Sequence, residues 1–226
     1  MVRAVSLFAR LQEAAAPLRQ RVRAHPFVRG LGNGTLPEER FRYYMRQDYV
    51  FLVQYSRVLA LAAARADDLS VASRFADLLN ITLNVEMDLH RQFAYKAGIS
   101  SEALEATTPA PTTLAYSNHL RVVAETGDLA VILAAILPCA HGYWEIADEL
   151  RAQDGWDGHP LYADWIRLYT SDEYAATAQW AAELLDRVTA GIAMDREAAL
   201  REVFLQSQRY EYLFWDMSER LEDWPI

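Results

Sequence analysis

The chain has one cysteine, a deficit of basic residues and no long uninterrupted apolar run. Cys139 cannot form an internal disulfide, so nothing in the chain calls for an oxidising compartment. The formal net charge of −9 argues against non-specific binding to nucleic acid or to an anionic membrane. The longest strongly apolar run, residues 129–140, is too short to span a bilayer, and charged residues interrupt the N-terminal segment. We therefore expect a cytoplasmic protein with no nucleic-acid and no membrane partner.

Alternating strand patterns are also absent, whereas helical periodicity recurs along the whole sequence of 226 residues. Hydrophobic residues make up 52% of the chain and charged residues 23%, which is typical of a soluble globular protein. The segment 25–37 contains three glycines and two prolines and is predicted to be a loop. The pattern predicts an all-α single domain over residues 1–226, with about seven or eight helices. The predicted helices cover about residues 4–24, 37–64, 68–96, 112–125, 128–153, 161–169, 171–190 and 195–221.

Two of these helices carry a carboxylate on their apolar face. Asp48 lies four residues before Leu52 on the apolar face of the second predicted helix, and Glu211 lies in the aromatic run YEYLFW. Removing an ionised carboxylate from water costs several kcal/mol by rough estimate unless a partner or ligand compensates. A glutamate in aromatic surroundings is expected to have a raised pKa, as a general acid needs near neutral pH. Each residue is equally well explained as a structural acid bonded to a neighbouring side chain.

Cys139 lies on a third apolar face, directly after Pro138. The proline removes a backbone donor and leaves the carbonyl of Ala134 without its helical partner. A solitary cysteine on an apolar face is most often a small hydrophobic residue. Three buried polar groups on three separate inner faces, however, indicate that the faces converge on a pocket.

Two pairs of residues are alternative candidates for metal ligands. Glu86 and His90 lie one turn apart, as do His141 and Glu145. Di-iron bundles place Glu and His three residues apart and add carboxylates from further helices, and neither pair has that spacing. The sequence also lacks a P-loop, a nucleotide-binding glycine motif and a Gly-x-Ser-x-Gly motif. We expect no metal and no cofactor.

Five segments occur in an order that resembles the TenA family, the thiaminase II or aminopyrimidine aminohydrolase proteins. They are HPFVRGLGNGTLPEERFRYYMRQDYVFL, LNVEMDLHRQF, AAILPCAHGYWEIADEL, HPLYADWIRLYTSDEY and YEYLFWDM. The resemblance extends from about residue 25 to residue 224 and implies the haem-oxygenase-like all-α fold. The combination of QDY, LPC and YEYLFW is specific to that family.

The resemblance implies a role for each matching residue. Cys139 of LPC resembles the family's nucleophile, Asp48 of QDY the residue that binds the aminopyrimidine, and Glu211 of YEYLFW the acid/base. Further matching residues line the substrate pocket: Tyr116, Tyr143 and Tyr169. Phe51 stands where relatives often have a tyrosine, which retains stacking on the pyrimidine but loses a hydroxyl group.

The resemblance thus implies a hydrolase that releases ammonia from 4-amino-5-aminomethyl-2-methylpyrimidine, with thiamin cleavage as a lesser activity. It also implies a homotetramer, for which exposed aromatic residues such as Trp156 and Trp180 are possible interface residues. Three alternatives stay open: a regulatory protein, an oxygenase of the same fold that uses haem or a di-iron centre, and a protein that binds the pyrimidine without turnover.

Overall fold

The computed structural model describes residues 5–225, and every regular element in that range is helical. The all-α prediction is confirmed. The elements are α1 (Leu7–Arg23), α2 (Pro26–Asn33), α3 (Glu38–Arg65), α4 (Leu69–Ile81), a π-helical segment (Thr82–Glu86), α5 (Met87–Lys96), α6 (Ser101–Glu105), α7 (Pro111–Thr126), α8 (Leu129–Arg151), α9 (Pro160–Tyr169), α10 (Asp172–Val188) and α11 (Met194–Arg220). The predicted start of the first helix at residue 4 lies outside the described residues.

The segment predicted as a loop over residues 25–37 contains α2. The His25 side chain accepts a hydrogen bond from the backbone N–H of Phe27 at 3.3 Å and so caps the helix, and Pro26 occupies its first turn. Gly34 ends the helix with φ of 75°, which glycine adopts without steric cost. Phe27 and Leu31 are fully buried. Burial of this apolar face therefore overrides the low helix propensity of the glycines.

The stretch predicted as one helix over residues 68–96 is interrupted by the π-helical segment Thr82–Glu86. A π-helical turn contains more residues than an α-helical turn, so it rotates every later side chain about the helix axis. Met87, His90, Phe93 and Ala94 of α5 consequently face inward. The segment thus decides which side chain of α5 reaches the interior of the bundle.

Helix α8 is the central element of the fold. It packs against α11 and α10 on two sides and also contacts α7 and α9. Its length and composition would suffice to cross a membrane, but most of that span is buried inside the protein, as in the core helix of a soluble protein. The helix continues through Pro138 to Arg151. Cys139 is therefore held in the middle of the bundle.

Trp156 and Trp180 pack against their own chain, which differs from the exposed placement expected for interface residues. The Trp180 ring lies 5.1 Å from the ring of Phe75, and the Arg167 guanidinium lies 5.4 Å from the Trp156 ring. Both tryptophans are only partly exposed. The large apolar side chains that do face solvent are mostly elsewhere: Leu69, Ile81, Leu83, Val85, Tyr95 and Met194 are among them.

Candidate active site

Asp48 is buried on the inner face of α3 and is paired with a histidine from α5. The Nε2 atom of His90 lies 2.6 Å from Oδ2 of Asp48, and both side chains are almost fully enclosed. The other ring nitrogen of His90, Nδ1, lies 3.1 Å from the backbone carbonyl oxygen of Glu86. The partner that a buried carboxylate requires is therefore present in the fold.

The two contacts of His90 define its proton arrangement. A carbonyl oxygen can only accept, so Nδ1 carries a hydrogen, and a proton must also lie between Nε2 and Asp48. Burial alone would lower the pKa of His90, but the hydrogen bond and negative charge of Asp48 outweigh it, and the pKa is raised. The contact with Asp48 therefore favours the imidazolium form of His90. The π-helical segment contributes directly, because it supplies the Glu86 carbonyl that orients the ring.

Three aromatic residues support Asp48 from the other side. The Tyr44 hydroxyl lies 3.3 Å from Oδ2 of Asp48 and 3.4 Å from the hydroxyl of Tyr143, and it accepts a hydrogen bond from Nε1 of Trp165 at 3.1 Å. Because Tyr44 accepts from Trp165, its own proton is free to be donated to Asp48. Tyr44 also stacks on Trp215, with ring centroids 5.5 Å apart. This network limits movement of the carboxylate.

Glu211 and Cys139 form the second polar group of the site. Glu211 of α11 is buried and accepts a hydrogen bond of 2.6 Å from the Tyr116 hydroxyl at Oε1. The Cys139 thiol of α8 lies close enough to the same carboxylate for each group to shift the pKa of the other. The residues predicted on separate apolar faces are thus brought together by α3, α7, α8 and α11.

The electrostatic surroundings of the thiol and of Glu211 are acidic. Burial raises the pKa of the Cys139 thiol, and the negative charges of Glu211 and Asp48 raise it further. Burial also raises the pKa of Glu211 to about 7, although the hydrogen bond from Tyr116 and the nearby Cys139 thiol act in the opposite direction. The raised pKa of the thiol favours its protonated form in the free protein. Its neighbour Glu211 is the group placed to accept its proton.

The remaining residues predicted to line the pocket lie around these two groups. The Phe51 ring lies 4.9 Å from the ring of Tyr116, and the Tyr143 ring lies 4.9 Å from the ring of Tyr169. All four rings are buried. The rings of Phe51 and Tyr116 lie on the Glu211 side, whereas Tyr143 connects to Asp48 through Tyr44. The site is thus an aromatic enclosure with a polar group at each end.

Cys139 and two tyrosines near it share an unusual combination of partial exposure and depth. The cysteine and the tyrosines Tyr55 and Tyr174 are partly exposed. The same groups lie deep in the protein, since burial is the main cause of the raised pKa of each of them. Partial exposure at such depth indicates a cavity wall. Tyr55 and Tyr174 are therefore further candidates for substrate contact.

His90, Tyr44, Tyr55 and Tyr174 were not among the predicted site residues. The pairing of His90 had one signal in the sequence, namely that a buried Asp48 needs a partner of opposite charge. Of the two candidate metal-ligand pairs, His90 contacts Asp48 and the backbone carbonyl of Glu86. In the other pair, Nδ1 of His141 lies 3.4 Å from Oε1 of Glu145, and Arg19 donates a hydrogen bond to the same glutamate. Within residues 5–225 no group of three or more His, Cys, Asp or Glu side chains has a metal-binding arrangement.

The fold and the site can be compared with known proteins. A model of the TENA/THI-4/PQQC family matches residues 12–221. The chain belongs to this family. The membership confirms the resemblance that was based on the QDY, LPC and YEYLFW segments.

Individual relatives agree with the family assignment. The aminopyrimidine aminohydrolase of Halalkalibacterium halodurans is 43% identical over 220 residues, which cover 97% of this chain and 98% of the relative. The solved TenA homologue protein from P. horikoshii OT3 has a TM-score of 0.89 at 27% identity and covers 96% of this chain and 99% of the other. A haem oxygenase from Leptospira interrogans, at 12% identity and a TM-score of 0.67 over 93% of this chain and 98% of the other, shares the fold alone. The haem-oxygenase-like fold is confirmed, and the similarity supports the prediction of an enzyme.

Proposed function

We propose that this protein hydrolyses 4-amino-5-aminomethyl-2-methylpyrimidine to the hydroxymethyl pyrimidine and ammonia, in the salvage of thiamin breakdown products. The observation that carries the proposal is the Cys139 thiol beside the buried Glu211 carboxyl group, in an aromatic enclosure whose other end holds Asp48. The name of the relative from Halalkalibacterium halodurans, aminopyrimidine aminohydrolase, supports the choice of substrate.

Asp48 is the proposed recognition group for the aminopyrimidine. A carboxylate can accept one hydrogen bond from a protonated ring nitrogen and one from the exocyclic amine. The contact with His90 orients Asp48 and leaves acceptor capacity on its oxygens for the substrate. Binding of this kind favours the protonated ring, which is a better electrophile. The rings of Phe51, Tyr116, Tyr143 and Tyr169 are proposed to hold the pyrimidine plane.

The proposed chemistry begins with proton transfer from the Cys139 thiol to Glu211. The sulfur then forms a bond to a ring carbon, and the ring loses its aromaticity. Glu211 gives its proton to the amino group on the exocyclic methylene, the C–N bond breaks, and ammonia leaves. A water molecule adds to the methylene carbon and gives a proton to Glu211. Finally the C–S bond breaks, the ring regains its aromaticity, and the thiol recovers a proton. One water is consumed and one ammonia is released.

A pKa of about 7 suits Glu211 to both halves of this cycle, because a carboxyl group with that value exists in both protonation states near neutral pH. In this proposal the thiol is activated without a neighbouring cation. Cys139 need not be ionised before the substrate binds, since Glu211 lies beside it and can act as its base.

The test is ammonia release from the aminomethyl pyrimidine, with thiamin in parallel and Cys139→Ala as the control variant. We expect fast release that falls by about 10³-fold or more in the variant, to the background that binding and orientation provide. Because Cys139 is the only cysteine, one equivalent of a thiol reagent should inactivate the protein, and bound pyrimidine should prevent this. Saturable pyrimidine binding without release from either substrate would favour a binding protein. No binding would contradict the proposal altogether.

Thiamin cleavage as a lesser activity, a cytoplasmic location and a homotetramer are parts of the same proposal. Exposed aliphatic side chains around the π-helical segment, Ile81, Leu83 and Val85, are available for subunit contact. Light scattering after size exclusion should give about four times the chain mass of 25.7 kDa. A monomer in that experiment would contradict the tetramer and leave the catalytic proposal unaffected.

A further inference from the structure

A second cavity reaches Glu211 on the side formed by α1, α8 and α11. Its volume is about 20 Å³, and its wall includes Pro138 and Gly142 of α8 together with Glu211. A space of about 10–15 Å³ is enough for one water molecule. None of Cys139, Asp48 and the pocket tyrosines Tyr116, Tyr143 and Tyr169 belongs to this wall. Glu211 therefore lines a space distinct from the aromatic enclosure.

Two of the α8 residues at this cavity, Pro138 and Gly142, are unfavourable inside a helix. Pro138 leaves the carbonyl of Ala134 without a helical donor, and Gly142 follows one turn later on the same face. Glycine in a helix interior is less favourable than alanine. A Cβ atom at Gly142 would meet no atom within 4 Å, so close packing is not the reason for the glycine. Its effect in the structure is to keep this part of the cavity open.

Polar side chains connect the cavity to the surface. Gln12 and Arg19 of α1 and Glu145 of α8 also line it, and Arg19 donates a hydrogen bond to Glu145. Both of these charged side chains are partly exposed, at 17% and 21%. The Gln12 carboxamide oxygen is buried and has no hydrogen-bond partner among the described residues. A water molecule in the cavity would thus find a buried acceptor as well as a carboxylate.

We propose that this cavity is a water-binding site that supplies Glu211 from the surface between α1 and α8. The inference rests on the proposed function, in which one water is consumed while the pyrimidine still fills the aromatic enclosure. Water that approaches beside Glu211 can bond through its oxygen to the methylene carbon and pass its proton to that carboxylate. Ammonia leaves by the substrate side. The reaction is then not limited by water having to pass the bound ring.

The test fills the cavity with a single methyl group. Gly142→Ala should raise the melting temperature by about 2–4 °C, because helix propensity improves and nothing is displaced. It should also lower kcat for ammonia release by about tenfold with little change in KM, since the methyl group is about the size of a water molecule. Gly142→Ser, whose hydroxyl can replace part of the water's hydrogen bonding, should retain more activity than Gly142→Ala. If Gly142 had only a structural role, Gly142→Ala would raise the melting temperature without lowering kcat.

Asp148→Ala provides the matched control. Asp148 is exposed on α8 away from the cavity, and alanine there also improves helix propensity. Its melting temperature should rise with kcat unchanged. If Gly142→Ala also kept kcat within twofold of wild type, the water-supply proposal would be wrong and the hydrolase proposal would stand.

A crystal structure gives a readout that does not depend on turnover. The wild-type protein should show an ordered water molecule in the cavity within hydrogen-bond distance of Glu211, and Gly142→Ala should displace it. A cavity without ordered water in the wild type would overturn the inference. If the wild-type protein failed to release ammonia, the proposed function would be wrong, and the same crystal structures would still decide whether the cavity binds water at Glu211.

Discussion

The two ends of the aromatic enclosure both contain a buried carboxylate, but the two carboxylates have different partners. Asp48 is paired with His90 at 2.6 Å, and this contact raises the pKa of His90 and so favours its cationic form. Glu211 accepts a hydrogen bond from the neutral Tyr116 and lies beside the Cys139 thiol, and burial raises its pKa to about 7. A carboxylate paired with a basic side chain suits recognition. A buried carboxyl group without a cationic partner changes its charge near neutral pH and suits proton transfer.

The largest expected effect is that of Glu211→Gln on catalysis. The amide cannot take the thiol proton or protonate the leaving amine, so kcat should fall by about 10²–10⁴-fold while pyrimidine binding is retained. Ammonia release and equilibrium binding of the pyrimidine measure the two effects. Equal losses in kcat and in binding affinity would mean that Glu211 binds the pyrimidine. The Asp48 end and the Glu211 end of the enclosure would then not differ in role.

The same variant should gain stability at alkaline pH. A carboxyl pKa raised from 4.5 to about 7 means that folding disfavours the charged form by about 3 kcal/mol at most. The contribution of protonated Glu211 to the free energy of unfolding is fully present below about pH 4.5, and it is lost as the pH rises through 7. Glu211→Gln should therefore match the wild type near pH 5 and exceed it by up to about 3 kcal/mol at pH 8. Urea unfolding at the two pH values provides the measurement.

Asp48→Asn should act in the opposite direction on stability. It leaves the His90 imidazolium buried without its counter-charge, and breaking one half of a buried pair destabilises by about 3–5 kcal/mol unless the remaining group loses its charge. Pyrimidine affinity should fall by about 10- to 100-fold, because a hydrogen bond to a charged group contributes about 1.5–3 kcal/mol. Calorimetric binding and urea unfolding test both effects. An Asn variant more stable than the wild type would contradict the ion pair.

His90→Gln should have a smaller effect, since the amide can still donate to Asp48 but carries no charge. We expect KM to rise about tenfold or less with kcat nearly unchanged. A double-mutant cycle with Asp48→Asn isolates the coupling between the two residues. Because the folded-state pKa of His90 is raised, its stabilising contribution is complete near pH 6 and is lost as the pH rises through that folded-state value. A coupling that does not change with pH would mean that His90 is neutral.

The smallest effect is expected for Phe51→Tyr. Phe51 packs on Tyr116 and lies 5.6 Å from the ring of Phe214, so the ring position should be retained. The added hydroxyl should change the ratio of kcat/KM for the aminomethyl pyrimidine and thiamin by less than about tenfold. Assays of the two substrates side by side give that ratio. A larger change would show that position 51 decides substrate preference.

The sequence pattern was sufficient to find the polar residues but not their partners. Asp48, Cys139 and Glu211 each interrupt an apolar helical face, and that kind of irregularity can be seen without a structure. The position of His90 could not be derived in this way, because regular periodicity takes no account of the π-helical segment Thr82–Glu86 that precedes it. A π-helical turn has no clear sequence signal.

The elements that were predicted wrongly have a similar physical explanation. Helix α2 forms in a glycine- and proline-rich segment because Phe27 and Leu31 are buried against the bundle. Local propensity does not contain that tertiary contribution. The periodic pattern also does not predict contacts between helices distant in sequence, such as that between Phe51 and Tyr116. Only the family resemblance indicated that these two residues belong to one pocket.

The most direct test of the account is the titration of Glu211 itself. In protein labelled with ¹³C at the glutamate carboxyl, the Glu211 resonance is the one that is lost in Glu211→Gln. We predict that it titrates with a pKa near 7 in the free protein. A titration near the ordinary value of 4.5 would show that this carboxylate is charged throughout the neutral range. In that case the two ends of the enclosure would not differ, and Glu211 could not exchange protons with Cys139 in the way proposed.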